Sequence, residues 1–253
     1  MIYSHYSEYM AQGMSAARPG PDPGEWEFLL PYLQSNEEPF LELACGYGRL
    51  LLPIMEAGFQ IVGTDSSPEM LNRCRELAQP KNLQPVLHEQ FMQRLSLKES
   101  FGFIFIDDCT FTLIVEDKDV RDLFERVWNH LKPSGTFLFD FYAVRPEADP
   151  THNKVSTCWV KASDNSIYVS RAIRSYDPET HITTTLQIHD RYLDGTLVGS
   201  QAYEDPNREH DPSTVMNLLS EIGFVDVRLA GYHTEGPPRE GSNMVSIRCK
   251  KPD

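Results

Sequence analysis

The chain is short of positive charge. Its 253 residues carry 23 Lys and Arg against 37 Asp and Glu, a formal net charge of -14. A phosphate backbone or an anionic bilayer is held mainly through Lys and Arg, so this balance disfavours long nucleic acids and membranes as partners. It is compatible with a small or cationic substrate. Patterned cysteine is also missing: Cys45, Cys74, Cys109, Cys158 and Cys249 are scattered, and none forms a C-x-x-C pair. An odd, unpatterned set reads as free thiols in a reducing compartment. No apolar run approaches the ~20 residues that a spanning helix needs. The opening MIYSHYSEYMAQGM has neither the basic region nor the apolar core of a signal peptide. A cytoplasmic protein is expected. No histidine pair has helical ligand spacing and no acid–histidine cluster stands out, so no metal is expected. There is no Gly-Lys-Ser/Thr phosphate loop and no G-x-S-x-G nucleophile turn.

What is present alternates. FLEL reads as a strand, and GRLLLPIMEAG as a helix stopped by Gly58. QIVGTD is a second strand, and SPEMLNRCRELAQ a helix with Ser67 as N-cap and Pro68 at its first position. QPVLHE and FGFIFID are further strands, the latter apolar enough to be buried on both faces. DVRDLFERVWNHL is a helix and TFLFDFY a fifth strand. Such alternation implies a doubly wound α/β fold, a mostly parallel sheet with helices on both faces. Ahead of it, an aromatic and then Pro/Gly-rich stretch reads as a mobile arm feeding a helix from about Gly24 to Leu33.

After the fifth strand the pattern changes. STCWVKA, SIYVSRAIRSY, HITTTLQIHDRYL and TLVGSQAYE are β-branched and aromatic, separated by turn signals at Asp164-Asn165, Asp177-Pro178 and Asp194-Gly195. They predict an antiparallel meander. In its third strand Ile182, Leu186, Ile188 and Tyr192 share one face, and Thr183, Thr185, Gln187, His189 and Arg191 the other. The expected organisation is an arm and core over residues 1–144, an antiparallel β insertion over 145–209, and a helix with two strands over 210–253 that complete the core sheet.

The segment Phe40 to Pro53, FLELACGYGRLLLP, carries the chemistry. A strand, a glycine turn and a helix build a nucleotide site at the carboxyl edge of a parallel sheet. A dinucleotide site needs G-x-G-x-x-G, but here Gly46 and Gly48 are followed by Leu51 where the third glycine belongs. Glu42 stands just ahead of the turn, where a carboxylate repels a pyrophosphate and receives a cationic group or organises the turn.

The ordered set Glu42-Leu43-Ala44-Cys45-Gly46-Tyr47-Gly48, Asp65 ending the second strand, SSPEML after it, FGFIFIDD and LKPSGTFLFDFY resembles the class I S-adenosylmethionine-dependent methyltransferases. The resemblance covers about Pro39 to Tyr142, with Ala44 in place of the usual first glycine. It implies a seven-stranded Rossmann-like methyltransferase fold, S-adenosylmethionine as cofactor and S-adenosylhomocysteine as product. It implies cofactor contacts from Glu42, Ala44, Cys45, Gly46, Gly48 and Arg49, with Asp65 on both ribose hydroxyls. Ser66, Met70, Phe91 and Met92 fall near the ribose and adenine, although Phe91 stands where the family usually has an acid. Asp107 falls near the methionine moiety. Asp107 or Asp108 would bind or deprotonate a substrate amine, and His189 is a further catalytic candidate. Tyr6, Tyr9, Phe111, Tyr142 and Arg191 are candidate acceptor contacts. Tyr3, Tyr6 and Tyr9 could form an aromatic lid over the sulfonium.

Plainer readings stand beside these. Glu42 and Asp65 could be ordinary strand-end acids, Asp107-Asp108 a solvated loop, Cys109 a packing residue, and His189, Arg191 and Tyr192 structural. The loop DDCTF lacks the Asn/Asp-Pro-Pro-aromatic motif of the base- and glutamine-modifying members. The expected acceptor is therefore a small molecule, with N-methylation ahead of O-methylation. The meander could cover substrate or mediate a homodimer. A non-catalytic S-adenosylmethionine-binding protein and, with less support, a nicotinamide-dinucleotide oxidoreductase remain alternatives.

Overall fold

Strand β4 (Phe101–Ile106) is buried along its whole length, and the main sheet grows outward from it. The computed structural model describes residues 6–145 and 152–253. On one side of β4 lie β1 (Phe40–Leu43), β2 (Ile61–Asp65) and β3 (Val86–Glu89); on the other lie β5 (Leu131–Tyr142), β11 (Met244–Lys250) and β10 (Val225–Gly231). The order is β10-β11-β5-β4-β1-β2-β3. Strands β1 to β5 pair in parallel, and β11 runs antiparallel to both β5 and β10. The chain winds outward from β1 to β3, then returns to build the other half from β4. That reversal leaves a crevice at the carboxyl ends of β1 and β4, where such sheets bind ligands.

Helices cover both faces as their patterns require. α5 (Asp117–His130) buries Val120, Leu123, Phe124 and Val127, an i, i+3, i+4, i+7 stripe, against the phenylalanines of β5. α2 (Pro23–Ser35) and α3 (Leu51–Glu56) contribute to a second core on the opposite face with Phe40, Phe103 and Phe105. α4 (Pro68–Ala78) starts as its sequence predicts: Ser67 is the N-cap, its hydroxyl accepts from Met70 N–H, and Pro68 follows.

The arm departs from the sequence reading. Glu8–Ala17 is a helix, α1, capped by Ser7. Its Met10 and Ala11 pack on Tyr47 and Met70, and Gln12 accepts a hydrogen bond from Tyr168 in the insertion. Burial on two sides orders a segment whose propensities alone are modest. Tyr3 lies outside the described residues.

The insertion is a four-stranded antiparallel sheet, β6 (Val155–Lys161), β7 (Ile167–Asp177), β8 (Ile182–Leu193) and β9 (Thr196–Arg208), in that order. Its polar face is the inner one. Thr183, Thr185 and His189 are buried, whereas Leu186, Ile173, Val155 and Trp159 on the other face are exposed. A sheet that turns hydroxyls, amides and charges inward is walling a polar space rather than extending the core. The remaining helix, α6 (Pro212–Ile222), leads back to β10 and β11.

Candidate active site

The turn after β1 is pinned by one carboxylate. Asp65 Oδ2 accepts from Gly46 N–H at 2.8 Å, and Asp65 Oδ1 accepts from Ser67 N–H at 2.8 Å. Asp65 thereby ties the ends of β1 and β2 together. Ala44, Gly46 and Gly48 all have positive φ, 56°, 54° and 82°. Gly48 is required twice over, because a Cβ there would lie 2.5 Å from Cys74 Sγ as well as being strained at that φ. At the end of β4, Asp108 and Cys109 are also left-handed. Strain of this kind concentrates where a fold holds a functional loop.

Behind the turn runs a charged chain drawn from six parts of the sequence. Arg49 is 8% exposed and bridges Glu25 of α2 and Asp107. Arg18 reaches the other oxygen of Glu25 at 3.0 Å and both oxygens of Asp108 at 3.0 Å. His233, in the β10–β11 loop, sets its Nε2 2.8 Å from Asp107 Oδ1 and 3.4 Å from Asp140 Oδ2. Asp140 lies in β5 and accepts from Cys109 N–H. The His233 ring stacks on Phe28, with centroids 5.4 Å apart. Donor atoms of Glu25, Asp107 and His233 lie within 4.8 Å of one another, but Arg49 already bridges the two carboxylates, so the cluster carries its own cation.

The electrostatics follow from burial and pairing. Burial and the charge of Asp107 push Asp140 up to about 8, against the pull of His233. Burial opposes charge on His233, but its hydrogen bonds to Asp107 and Asp140 overcome this and raise it to about 9. Burial also opposes charge on Asp107, yet His233 and Arg49 hold it below the usual carboxylate range. Burial, then the charge of Asp107, raises Glu42 well above the ordinary value. Glu42 Oε2 is buried and has no hydrogen-bond partner among the described residues.

A pH dependence follows. Both His233 and Asp140 have folded-state values above their ordinary values of 6.5 and 3.8. The folded state therefore binds more protons than the unfolded state, and stability falls as pH rises. The His233 contribution is complete below 6.5 and is lost as pH climbs through about 9. Urea midpoints measured from pH 6 to 10 should decline across this window, and His233→Gln should flatten the decline. An equal slope in both proteins would locate the titration elsewhere.

Two cavities open at the strand ends. A narrow slot of about 70 Å³ is lined by Ala44, Ser66, Phe91, Met92 and Asp205, and Tyr6 forms part of its wall. A roomier cavity of about 310 Å³ lies between Tyr142 and the inner face of the insertion, and Asp205 lines this one too. A larger cavity, about 820 Å³, lies to one side between α5, α6 and β9, away from the glycine turn.

Several expected site residues are elsewhere. Phe111 is wholly buried in the core among Phe124, Phe139 and Phe141, so it contacts no acceptor. His189 is buried, stacked on Tyr203 and hydrogen-bonded to Ser170 and Tyr203, and burial lowers its basicity. Its contacts make it part of the seam between insertion and arm, because Tyr203 also contacts Met10. Arg191 is held by Asp164 and Ser166 at the β6–β7 turn. Tyr9 packs on Gly199 in β9, with its backbone N–H bonded to Gln201, rather than over the strand ends. Met70 sits under the turn, 2% exposed, with Met10 and Tyr47. Cys45 is likewise buried, so only its backbone serves the turn. Arg49 is already balanced by two carboxylates and builds the floor of the site instead of facing a ligand.

Other participants were not visible as site residues in the sequence: Arg18, Glu25, Asp140, Asp205 and His233. Asp140 had a signal, a lone acid inside the apolar strand TFLFDFY. Glu25 had a weaker one, three residues after Asp22 at a Pro-initiated helix, where it closes a capping box. His233 and Asp205 had none, since only folding brings them to the strand ends.

A doubly wound sheet with an acid, a glycine turn and a second acid at its switch point defines a Rossmann-like, nucleoside-cofactor enzyme. Residues 40–135 match the family model described as a methyltransferase domain. Over 262 residues the chain is 31% identical to YqeM of Bacillus subtilis (strain 168), which bears a methyltransferase name, covering 99% of this chain and 98% of that protein. A solved S-adenosylmethionine-dependent methyltransferase from Clostridium acetobutylicum ATCC 824 matches with a TM-score of 0.78 at 17% identity, covering 94% of this chain and 96% of that one. The sugar N-methyltransferase KedS8 from Streptoalloteichus sp ATCC 53650 matches with a TM-score of 0.75 at 13% identity, covering 100% and 97%. The chain belongs to the class I S-adenosylmethionine-dependent methyltransferase family.

Proposed function

We propose that this enzyme methylates a small polar molecule held between Tyr142 and the insertion, and that the acceptor atom is nitrogen. One observation carries the reading: Asp205 lines both the slot beside the glycine turn and the cavity under the insertion. A donor in the first and an acceptor in the second would meet beside its carboxylate.

The donor side fits the residues present. Asp65 stands rigid at the end of β2, held by two backbone N–H groups, and its carboxylate suits a pair of vicinal hydroxyls. Ser66, Phe91, Met92 and Tyr6 would bound the adenine. The buried, unpartnered Oε2 of Glu42 suits a cationic amino group, which would satisfy it and draw the carboxyl into its charged form. Bound S-adenosylmethionine supplies a methyl group on a sulfonium, an already activated leaving group. The protein has only to align the acceptor and exclude water.

The nitrogen preference rests on charge. When a neutral amine takes the methyl, positive charge moves from sulfur to nitrogen, and a fixed carboxylate beside it stabilises that charge as it develops. Asp107 and Asp108 are already paired with Arg49, His233 and Arg18. Asp205 serves instead: among the described residues its carboxylate accepts one hydrogen bond, from Asn207 at 3.3 Å. Burial raises it to about 6. Two structural neighbours, one described as a sugar and one as a glycopeptide N-methyltransferase, lend support.

The test is S-adenosylhomocysteine release against matched panels of small amines, alcohols, peptides and oligonucleotides. Turnover should appear with amines, and Asp205→Asn should lower kcat by about 100-fold, the scale of losing one electrostatic partner of the reacting atom. Turnover confined to alcohols would end the nitrogen assignment; turnover confined to polymers would end the small-molecule one.

A further inference from the structure

We propose that the acceptor carries an anionic group, a carboxylate or a phosphate, received by Arg174 at the far side of the cavity from Asp205. This rests on the small-molecule reading above and adds the chemical class of the molecule.

The register sets the geometry. Arg174 of β7 opposes Thr185 of β8, and Thr185 opposes Asp205 of β9. Directly opposed residues share a face, so these three form one row across the inner face of the insertion. All three line the cavity of about 310 Å³. Two strand spacings separate the ends of the row, roughly 10 Å between backbones. The row thus presents a cation at one end, a hydroxyl in the middle and a carboxylate at the other end, beside the cofactor slot.

The cation is open. The cavity has two other arginines, and both are balanced: Arg145 pairs with Glu209 at 2.6 Å, and Arg208 pairs with Asp117 at 2.6 Å. The Arg174 guanidinium makes no hydrogen bond or ion pair among the described residues, although it is half-buried and close enough to Tyr142 to favour its phenolate. In a chain of net charge -14, partners for an arginine are plentiful. One left unpaired inside a walled cavity carries a desolvation penalty that an anionic ligand removes. The guanidinium fork matches the oxygens of a carboxylate or phosphate. Around it the lining is hydroxyl and amide: Thr183, Gln187, Asn207 and Asn243. An apolar amine would leave these groups unpaired, whereas an amine bearing an acid and hydrogen-bonding groups would satisfy them.

The experiment uses the whole protein with saturating S-adenosylmethionine and reads S-adenosylhomocysteine release. One arm holds α- and ω-amino acids, and a second holds phosphorylated amino alcohols and amino sugars. Each molecule is paired with its masked form, the amide or the dephosphorylated parent. The unmasked members should exceed the masked ones in kcat/KM by about 100-fold, the scale of a bidentate charged contact. Whichever arm reacts identifies the anion. Arg174→Ala should abolish that difference through KM, Arg174→Lys should restore part of it, and calorimetric titration with S-adenosylhomocysteine verifies that each variant is folded. Equal rates for masked and unmasked amines, or an unaltered difference in Arg174→Ala, overturns the anion site while small-molecule methylation stands. No turnover with any member, with S-adenosylhomocysteine still bound, rejects both the anion site and the acceptor class.

Discussion

Arg49→Met should cost about 3–5 kcal/mol of stability, the range for breaking a buried ion pair from one side. Arg49, Glu25 and Asp107 are each under 10% exposed at the side chain. Methionine fills similar volume but leaves two carboxylates facing each other without the cation between them. Arg18 cannot replace it fully, because it is 38% exposed and already shared with Asp108. The sign of the pH dependence tests the explanation. In the wild type Asp107 is held low, so its contribution is present at neutral pH and disappears as pH falls through its lowered value. In the variant Asp107 keeps His233 but loses Arg49, so its value rises and acid relieves the repulsion between the two carboxylates. The gap between the two proteins in urea should therefore narrow from pH 7 toward pH 4. A loss under about 1 kcal/mol, or a gap that does not change with pH, would mean that solvent reaches this cluster and that its charges are already screened.

Asp65→Ala should remove cofactor binding. Hydrogen bonds to a charged group contribute about 1.5–3 kcal/mol each, so losing the proposed contacts to two ribose hydroxyls weakens affinity by roughly 100-fold or more. The substitution also strips the acceptor from Gly46 N–H and Ser67 N–H, which loosens the turn that shapes the slot. The readout is thermal stability with and without S-adenosylhomocysteine. A ligand at 100 times its dissociation constant adds about 2.7 kcal/mol to a protein it binds only when folded. Wild type should show that shift and Asp65→Ala no more than about 0.4 kcal/mol of it. Asp65→Asn removes the charge while its amide oxygen keeps one of the two turn contacts, so it should fall between the wild type and Asp65→Ala. An Asp65→Ala protein that is stabilised as fully as the wild type would remove Asp65 from the cofactor site.

The sequence by itself determined the wound core. Strands with both faces apolar, helices with a 3.6-residue stripe, Ser67 before Pro68, and an acid–glycine turn–acid order are local signals, because the physics behind each spans only a few residues. Hence β1, β2, β4, α4 and the Gly46–Gly48 turn stand where their residues predict. The meander was legible for the same reason: its turns carry local signals, left-handed Asn165 and Asp194-Gly195 and the proline of Asp177-Pro178.

Only the tertiary structure decided which acids are occupied and which cation is open. Asp107 looked like a free carboxylate at the ligand edge, but Arg49 and His233, 58 and 126 residues away, hold it. The period-2 pattern of β8 separated an apolar from a polar face, yet not which of them turns inward. That choice follows from what the sheet packs against, and here it packs over the strand ends, so the polar face lines a cavity. His189 and Arg191 share that face but fall where it meets α1 and the β6–β7 turn, while Thr185 falls over the site. Asp205 and Arg174 became a pair only through the register of three strands. Long-range pairing of this kind is set by packing and by the exclusion of water over the whole molecule, and no short window of residues encodes it.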